Sequence, residues 1–264
     1  VSQSTGSSGF SASQNTARTL VEFGLIIALL LGVLVVGRSV VGCVAERAAL
    51  ALPTSLDGQL GDAAAKAILA SHAGTSASAA DSARVERVFS ELVAKLSEEE
   101  RASLGTPVVT LLEDETPNAF ALPGGHVFVQ TGLLARVGAG PEGDSQLRGV
   151  LGHELGHAVR RHALRLLARR LAFGLTIGLL MGNGDRLGDA LLAGASQLQG
   201  LQNSREMETE ADDFGVLLLQ RSGFDIGGLA TFLEGLEGQP VPELLSTHPD
   251  PSARAKRIRE SAGR

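Results

Sequence analysis

The sequence predicts an α+β domain, mainly helical, with one small sheet, preceded by an N-terminal helix of membrane length. Three observations predict it. Apolar residues recur at helical spacing in several segments after residue 50. Residues 106 to 130 are instead β-branched and broken by Pro and Gly, and an uncharged apolar run precedes both regions. At 264 residues the chain suits one domain plus an appendage, and is long enough to bury a full core. A net charge of −6 argues against a nucleic-acid partner, which would leave a basic footprint. With a single cysteine, Cys43, no internal disulfide can form, and the redox compartment stays open.

Residues 1 to 18 are polar and small, and read as a disordered tail. Residues 19 to 45 read as a single-pass membrane anchor or a signal-like segment. Phe23 to Gly37 carry no charge, Leu20, Val21 and Val40 to Val44 can extend the run, and Arg38 can snorkel to the interface. A competing reading takes Val40-Val41-Gly42-Cys43 as a lipoprotein processing site with Cys43 acylated, against which Arg38 counts. Residues 46 to 264 form the remaining unit. Leu52-Pro53 breaks the chain, Asp57 to Ser71 is helical and Ala-rich, and residues 73 to 79 form a turn. Val85, Val88, Phe89, Leu92, Val93 and Leu96 predict an amphipathic helix over residues 82 to 97. Thr106 to Leu112 is a strand. Ala119 to Leu122 and Val127 to Gln130 pair as a hairpin across Pro123-Gly124-Gly125.

The next stretch carries the chemistry. In His153-Glu154-Leu155-Gly156-His157 the two histidines are four residues apart, so on a helix both imidazoles face one point. Two neutral ring nitrogens on one side suit Zn²⁺, and Glu154 lies beside the open position of such a metal. A third histidine ligand in the metzincin register would need glycine at position 160 and histidine at position 163, but Arg160 and Ala163 stand there. His162 is one place out of register and groups with the basic run Arg160, Arg161, Arg165, Arg169 and Arg170, read as solvated. A carboxylate on a second helix supplies the alternative. Glu208 and Asp212 share a face, with Ala211 and Gly215 as a small-residue surface where two helices can approach. Glu208 is then the third ligand, and Asp212 an acceptor fixing the tautomer of a ligating histidine; Glu206 and Glu210 read as a solvated face. Between the two motifs, Leu171 to Gly182 reads as a core or interfacial helix, residues 183 to 185 as a turn and about 189 to 201 as a helix. Further helices cover 226 to 236 and 250 to 260, separated by a Pro-containing loop.

Gly-His-Glu-Leu-Gly-His followed by Ser-Arg-x-x-Glu-x-x-Ala-Asp resembles the HtpX and CAAX-prenyl-protease family of zinc metallopeptidases, family M48, of the gluzincin type. Asn118 to Leu134 and His248-Pro-Asp-Pro-Ser-Ala-Arg254 match two further motifs, so the resemblance spans roughly residues 50 to 260. It implies a zincin-like domain whose hairpin edges the active-site cleft, one Zn²⁺ per chain, and hydrolysis of peptide bonds in protein substrates. The substrates would be unfolded or membrane-associated, and the setting membrane quality control with the catalytic domain outside the cytoplasm. Glu154 is the expected general base. The oxyanion needs a donor, and since the chain has no Tyr, His248 is the candidate, with Arg254 second. The loop of His248 could alternatively ligate the metal and keep the enzyme latent. Asn118 and His126 lie on the hairpin and are candidates for substrate contact, although His126 reads first as an exposed turn residue. Two other functions stay open: a metal-stabilised chaperone-like or assembly factor with little turnover, and, ranked last, an aminopeptidase.

Overall fold

The computed structural model describes residues 8–72, 77–180, 203–236 and 247–262. One helix, α1, runs from Ser8 to Leu50. The polar stretch expected to be disordered is therefore helical from Ser8. It contains no Pro, and once the apolar run has formed helix, each further residue adds a hydrogen bond without a new nucleus. From Leu20 to Val40 the described side chains of α1 are exposed and mostly apolar. Residues Leu20–Leu50 are long and apolar enough to cross a membrane.

Helix α2 (Thr54–Ser71) follows the Pro53 break. Helix α3 (Ala79–Val93) is capped by Ser78, which accepts from the Asp81 amide, and buries Val85, Val88, Phe89 and Leu92, the stripe expected from their spacing. The short helix α4 (Glu98–Leu104) opens with a capping box between Ser97 and Glu100. Three strands form the sheet: β1 (Val108–Leu112), β2 (Ala119–Ala121) and β3 (His126–Gln130), in the order β1-β3-β2. β2 and β3 are antiparallel, as the hairpin reading requires, and Phe120 pairs with Phe128, their rings stacked 5.3 Å apart. Their connection is a single 3₁₀ turn, Pro123–Gly125, with both glycines at positive φ. β1 runs parallel to β3, so β2 is an edge strand.

Helix α5 (Thr131–Val137) leads into α6 (Gly140–Val159), the central element. Nearly every residue from Leu147 to Ala158 is buried, because α6 is covered by α3, by the sheet, and by two later helices, α8 (Arg205–Ser222) and α9 (Gly227–Glu234). Between α6 and α8 lies α7 (His162–Leu180), which packs along α1. The C-terminal helix α10 (Pro251–Ala262) closes over α9. Helices α6 and α8 approach closely enough that their glycines leave no room for a side chain. A Cβ at Gly156 would lie 2.7 Å from the Ala211 carbonyl oxygen, and one at Gly215 would lie 3.1 Å from the Gly152 carbonyl carbon. The small-residue surface expected at Ala211 and Gly215 is thus the seam that joins the two motif-bearing helices. Residues 73–76 of the turn expected at 73–79, the turn and helix expected between 183 and 201, and most of the loop before Thr247 lie outside the described residues.

Candidate metal centre and active site

Helix α6 presents His153 and His157 on one face, their Nε2 atoms 2.9 Å apart. Helix α8 brings Glu208 across the glycine seam, with Oε2 3.4 Å from His153 Nε2 and Oε1 3.3 Å from His157 Nε2. His248, just before α10, completes the group. Its Nδ1 lies 3.1 Å from both carboxylate oxygens of Glu208 and 3.4 Å from His153 Nε2. All four residues are buried, and their ligand atoms lie within 4.8 Å of one another.

The donor set fits a tetrahedral cation. Bonds of about 2.0–2.1 Å to zinc imply donor–donor edges of roughly 3.3 Å, close to those observed. The tautomers point the same way. Asp212 Oδ1 lies 2.9 Å from His153 Nδ1 and accepts its proton, which turns the Nε2 lone pair inward. His157 Nδ1 lies 2.7 Å from His162 Nδ1, and His162 Nε2 lies 3.1 Å from Glu210 Oε2. With Glu210 accepting from His162 and His162 accepting from His157, the second Nε2 lone pair also faces the Glu208 carboxylate. Two Nε2 lone pairs and a buried carboxylate converge there, and Arg254 NH1 meets only one of the carboxylate oxygens, so the group calls for further positive charge. His153 expresses that demand: burial and the Arg254 charge oppose its protonation, but bonding to Asp212 and Glu208 outweighs them and pushes its pKa up to about 9. His157, where burial dominates and the His153 charge adds to it, falls to about 3. Burial raises the Glu154 carboxyl. Burial also opposes ionisation of Glu208, but the His248 and His157 charges prevail and hold its carboxyl far below the usual range.

The basic run after α6 is a solvated face only in part: Arg160 and Arg170 are exposed, whereas Arg161 and Arg165 are engaged. Arg161 takes a left-handed backbone conformation (φ 56°), turning the chain so that His162 faces back onto His157. Arg161 is itself buried, donating to Asp57 and to the carbonyls of Leu50 and Leu52. Arg165 binds Glu210 at 2.8 Å. His162 is 1 % exposed and belongs to the site. Glu210, read as solvated, is its partner.

Arg254 reaches the cluster in a different posture from that of an oxyanion donor. Its guanidinium binds Asp212 through Nε at 3.0 Å and NH2 at 2.8 Å, and its NH1 lies 2.6 Å from Glu208 Oε2. It therefore holds the two carboxylates, and it also lines a cavity beside Glu154. His126 turns away to Asp62 at 2.9 Å. Asn118 is buried beside the start of β2, where its carbonyl accepts from the Gln130 amide. Neither lines the two small cavities that flank the cluster. One is walled by Phe120, Ala121, Glu154, His157, His162 and His248, so the edge strand β2 borders the cluster. The other is apolar, walled by Leu133, Val150, Phe232 and Leu236 beside Glu154. His248 Nε2 is 3.8 Å from Glu154 Oε1.

A helical domain with a small mixed sheet, and a buried His-Glu-x-x-His pair facing a carboxylate from a second helix, define a metallopeptidase. Residues 79–262 match Peptidase family M48, and the chain belongs to that family, as its four motifs imply. The members of that family are metal-dependent peptidases. The chain is 37% identical over 157 residues to the mitochondrial metalloendopeptidase OMA1 of Schizosaccharomyces pombe, covering 57% of this chain and 45% of that protein. It is 35% identical over 167 residues to the beta-barrel assembly-enhancing protease of Escherichia coli K12, covering 58% and 34%. To the metalloprotease YcaL of the same organism it is 32% identical over 169 residues, covering 59% and 63%. The match thus spans less than half the length of the first two relatives.

Proposed function

We propose that the chain is a membrane-tethered zinc endopeptidase, with residues 19–45 as the anchor and 46–264 as the catalytic unit. His153, His157 and Glu208 hold the zinc. The observation that carries this reading is Glu208, which comes from a helix some fifty positions away and lies 3.3–3.4 Å from both imidazole nitrogens. A zinc ion bound there supplies Lewis acidity, lowering the pKa of water from about 15.7 towards about 7. Glu154 accepts the proton of the attacking water and passes it to the leaving amine, and its burial, which raises the carboxyl, suits a group that must both take and give. Asp212 and His162 fix the tautomers and ring planes of His153 and His157, and Arg254 orients both carboxylates. The free edge of β2 pairs with an extended substrate backbone, so that the scissile bond lies over Glu154.

His248 closes the site at rest. Its Nδ1 stands at the fourth corner of the donor set, where a catalytic site keeps room for water. Catalysis then requires the segment before α10 to withdraw from that corner. The apolar α1 and the names of two relatives, one mitochondrial and one concerned with β-barrel assembly, fit quality control of unfolded or membrane-associated proteins on the extracytoplasmic side. Replacing Glu154 with Gln tests the chemistry. Casein cleavage by the purified chain falls by about 10²–10⁴-fold while bound zinc is retained. Cleavage that survives removes Glu154 as the base.

A further inference from the structure

Helices α1 and α7 pack antiparallel in a fixed register. The Arg38 guanidinium lies 4.7 Å from the Phe173 ring centroid, a Cβ at Gly42 would lie 3.3 Å from Arg169 Cγ, and Glu46 pairs with Arg165 at 3.5 Å and with Arg169. Each step is one helical turn on both partners. Both helices change character at the same level. On α1 the residues from Phe23 to Gly37 are uncharged, and Arg38 is the first charge after them. On α7 Arg169 and Arg170 are followed by ten uncharged residues, Leu171 to Leu180. The charged-to-apolar boundary of the two helices therefore coincides, as it must where a helix pair enters hydrocarbon.

At that boundary lies a cavity of about 550 Å³, lined by Arg38, Ser39, Gly42, Cys43, Arg169 and Arg170 among others. Among the described residues its charge is not balanced. Arg165 is held by Glu210 and Glu46, and Glu46 is shared with Arg169. Among the described residues neither Arg38 nor Arg170 has a carboxylate partner. We propose that this cavity binds the phosphate headgroup of an anionic phospholipid, with Arg38 and Arg170 as its charge partners. This rests on reading α1 as the anchor. Guanidinium groups form paired bonds to phosphate oxygens, and the volume admits a headgroup. The excess positive charge selects an anionic lipid over a zwitterionic one. Bound there, the lipid locks α1 to α7, whose first residue, His162, supports His157.

The test uses the full chain in detergent, titrated with phosphatidylglycerol or phosphatidylcholine, with bound lipids counted by native mass spectrometry. The wild type retains phosphatidylglycerol preferentially, and R38Q/R170Q weakens that retention about 25-fold, roughly fivefold per arginine. The single cysteine reports the location: phosphatidylglycerol slows modification of Cys43 by a polar maleimide, and phosphatidylcholine does not. Unchanged casein cleavage in detergent shows that the double variant is folded. Equal retention of the two lipids, or equal retention by the variant, overturns the proposal. Equal protection of Cys43 by inorganic phosphate at the same concentration also overturns it, in favour of a free-anion site. Flotation with vesicles after alkaline washing separates the two readings. A chain that stays with the vesicles but shows no lipid preference loses only the lipid site, whereas a chain washed off loses the anchor and the site together.

Discussion

Substituting Gly156 with Ala tests whether the α6–α8 seam sets the metal site. The new methyl would lie 2.7 Å from the Ala211 carbonyl oxygen and 2.9 Å from Ala211 Cα, both backbone atoms of the facing helix that cannot swing aside. Restoring ordinary contact separates the helices by roughly 0.6 Å. Overpacking of this kind costs about 1–3 kcal/mol, and the better helix propensity of Ala returns about 1 kcal/mol, leaving a net loss of roughly 1 kcal/mol. For a domain of this size that lowers Tm by about 3 °C. The same movement takes Glu208 away from His153 and His157, by more than the roughly 0.5 Å within which such a site must be held, so zinc affinity falls at least about tenfold. Chelator competition measures the affinity and calorimetry the Tm. Gly58→Ala is the control: nothing lies within 4 Å of a Cβ there, so it raises stability by up to about 1 kcal/mol and leaves zinc binding unchanged. If Gly156→Ala behaves like the control in both measurements, the seam does not position the site.

Two further substitutions address the residues around the metal. His162→Ala removes the partner of His157 Nδ1, so zinc affinity measured by chelator competition drops about 10- to 100-fold while the helical circular dichroism signal persists. An unchanged affinity would mean that His162 is only packing. His248→Ala opens the fourth corner, and casein cleavage rises several-fold with zinc retained. A fall in cleavage instead assigns His248 to the oxyanion, and no change in either cleavage or zinc affinity removes both roles.

Much of this arrangement is legible in the sequence, because it follows from helical periodicity. The spacing of His153 and His157, the shared face of Glu208 and Asp212, and the small residues Ala211 and Gly215 each state a local geometry that packing preserves. The stripe from Val85 to Leu92 and the β2–β3 hairpin are legible for the same reason. The role of His162 is not. It sits among arginines, and its burial depends on the left-handed backbone at Arg161, a conformation that no residue type there announces. The signal available for it is a third histidine five residues after His157, together with Glu210 two residues after Glu208. The arginines mislead for a related reason: their partners Asp57, Glu46 and Glu210 come from distant segments, so only the fold reveals that they are paired. Helices α4 and α5 have seven residues each, too few to display a period. Posture is likewise a matter of packing. The motif places Arg254 at the site, but its engagement with Asp212 and Glu208 depends on how α10 lies over α8.

The convergence of two histidines and one remote carboxylate on a single ion is tested most directly by the zinc content of the full chain after dialysis against a weak chelator, wild type beside Glu208→Gln. About one zinc per chain in the wild type, and almost none in a variant that keeps its helical signal, is the predicted result. A folded Glu208→Gln chain that still carries one zinc would contradict the account.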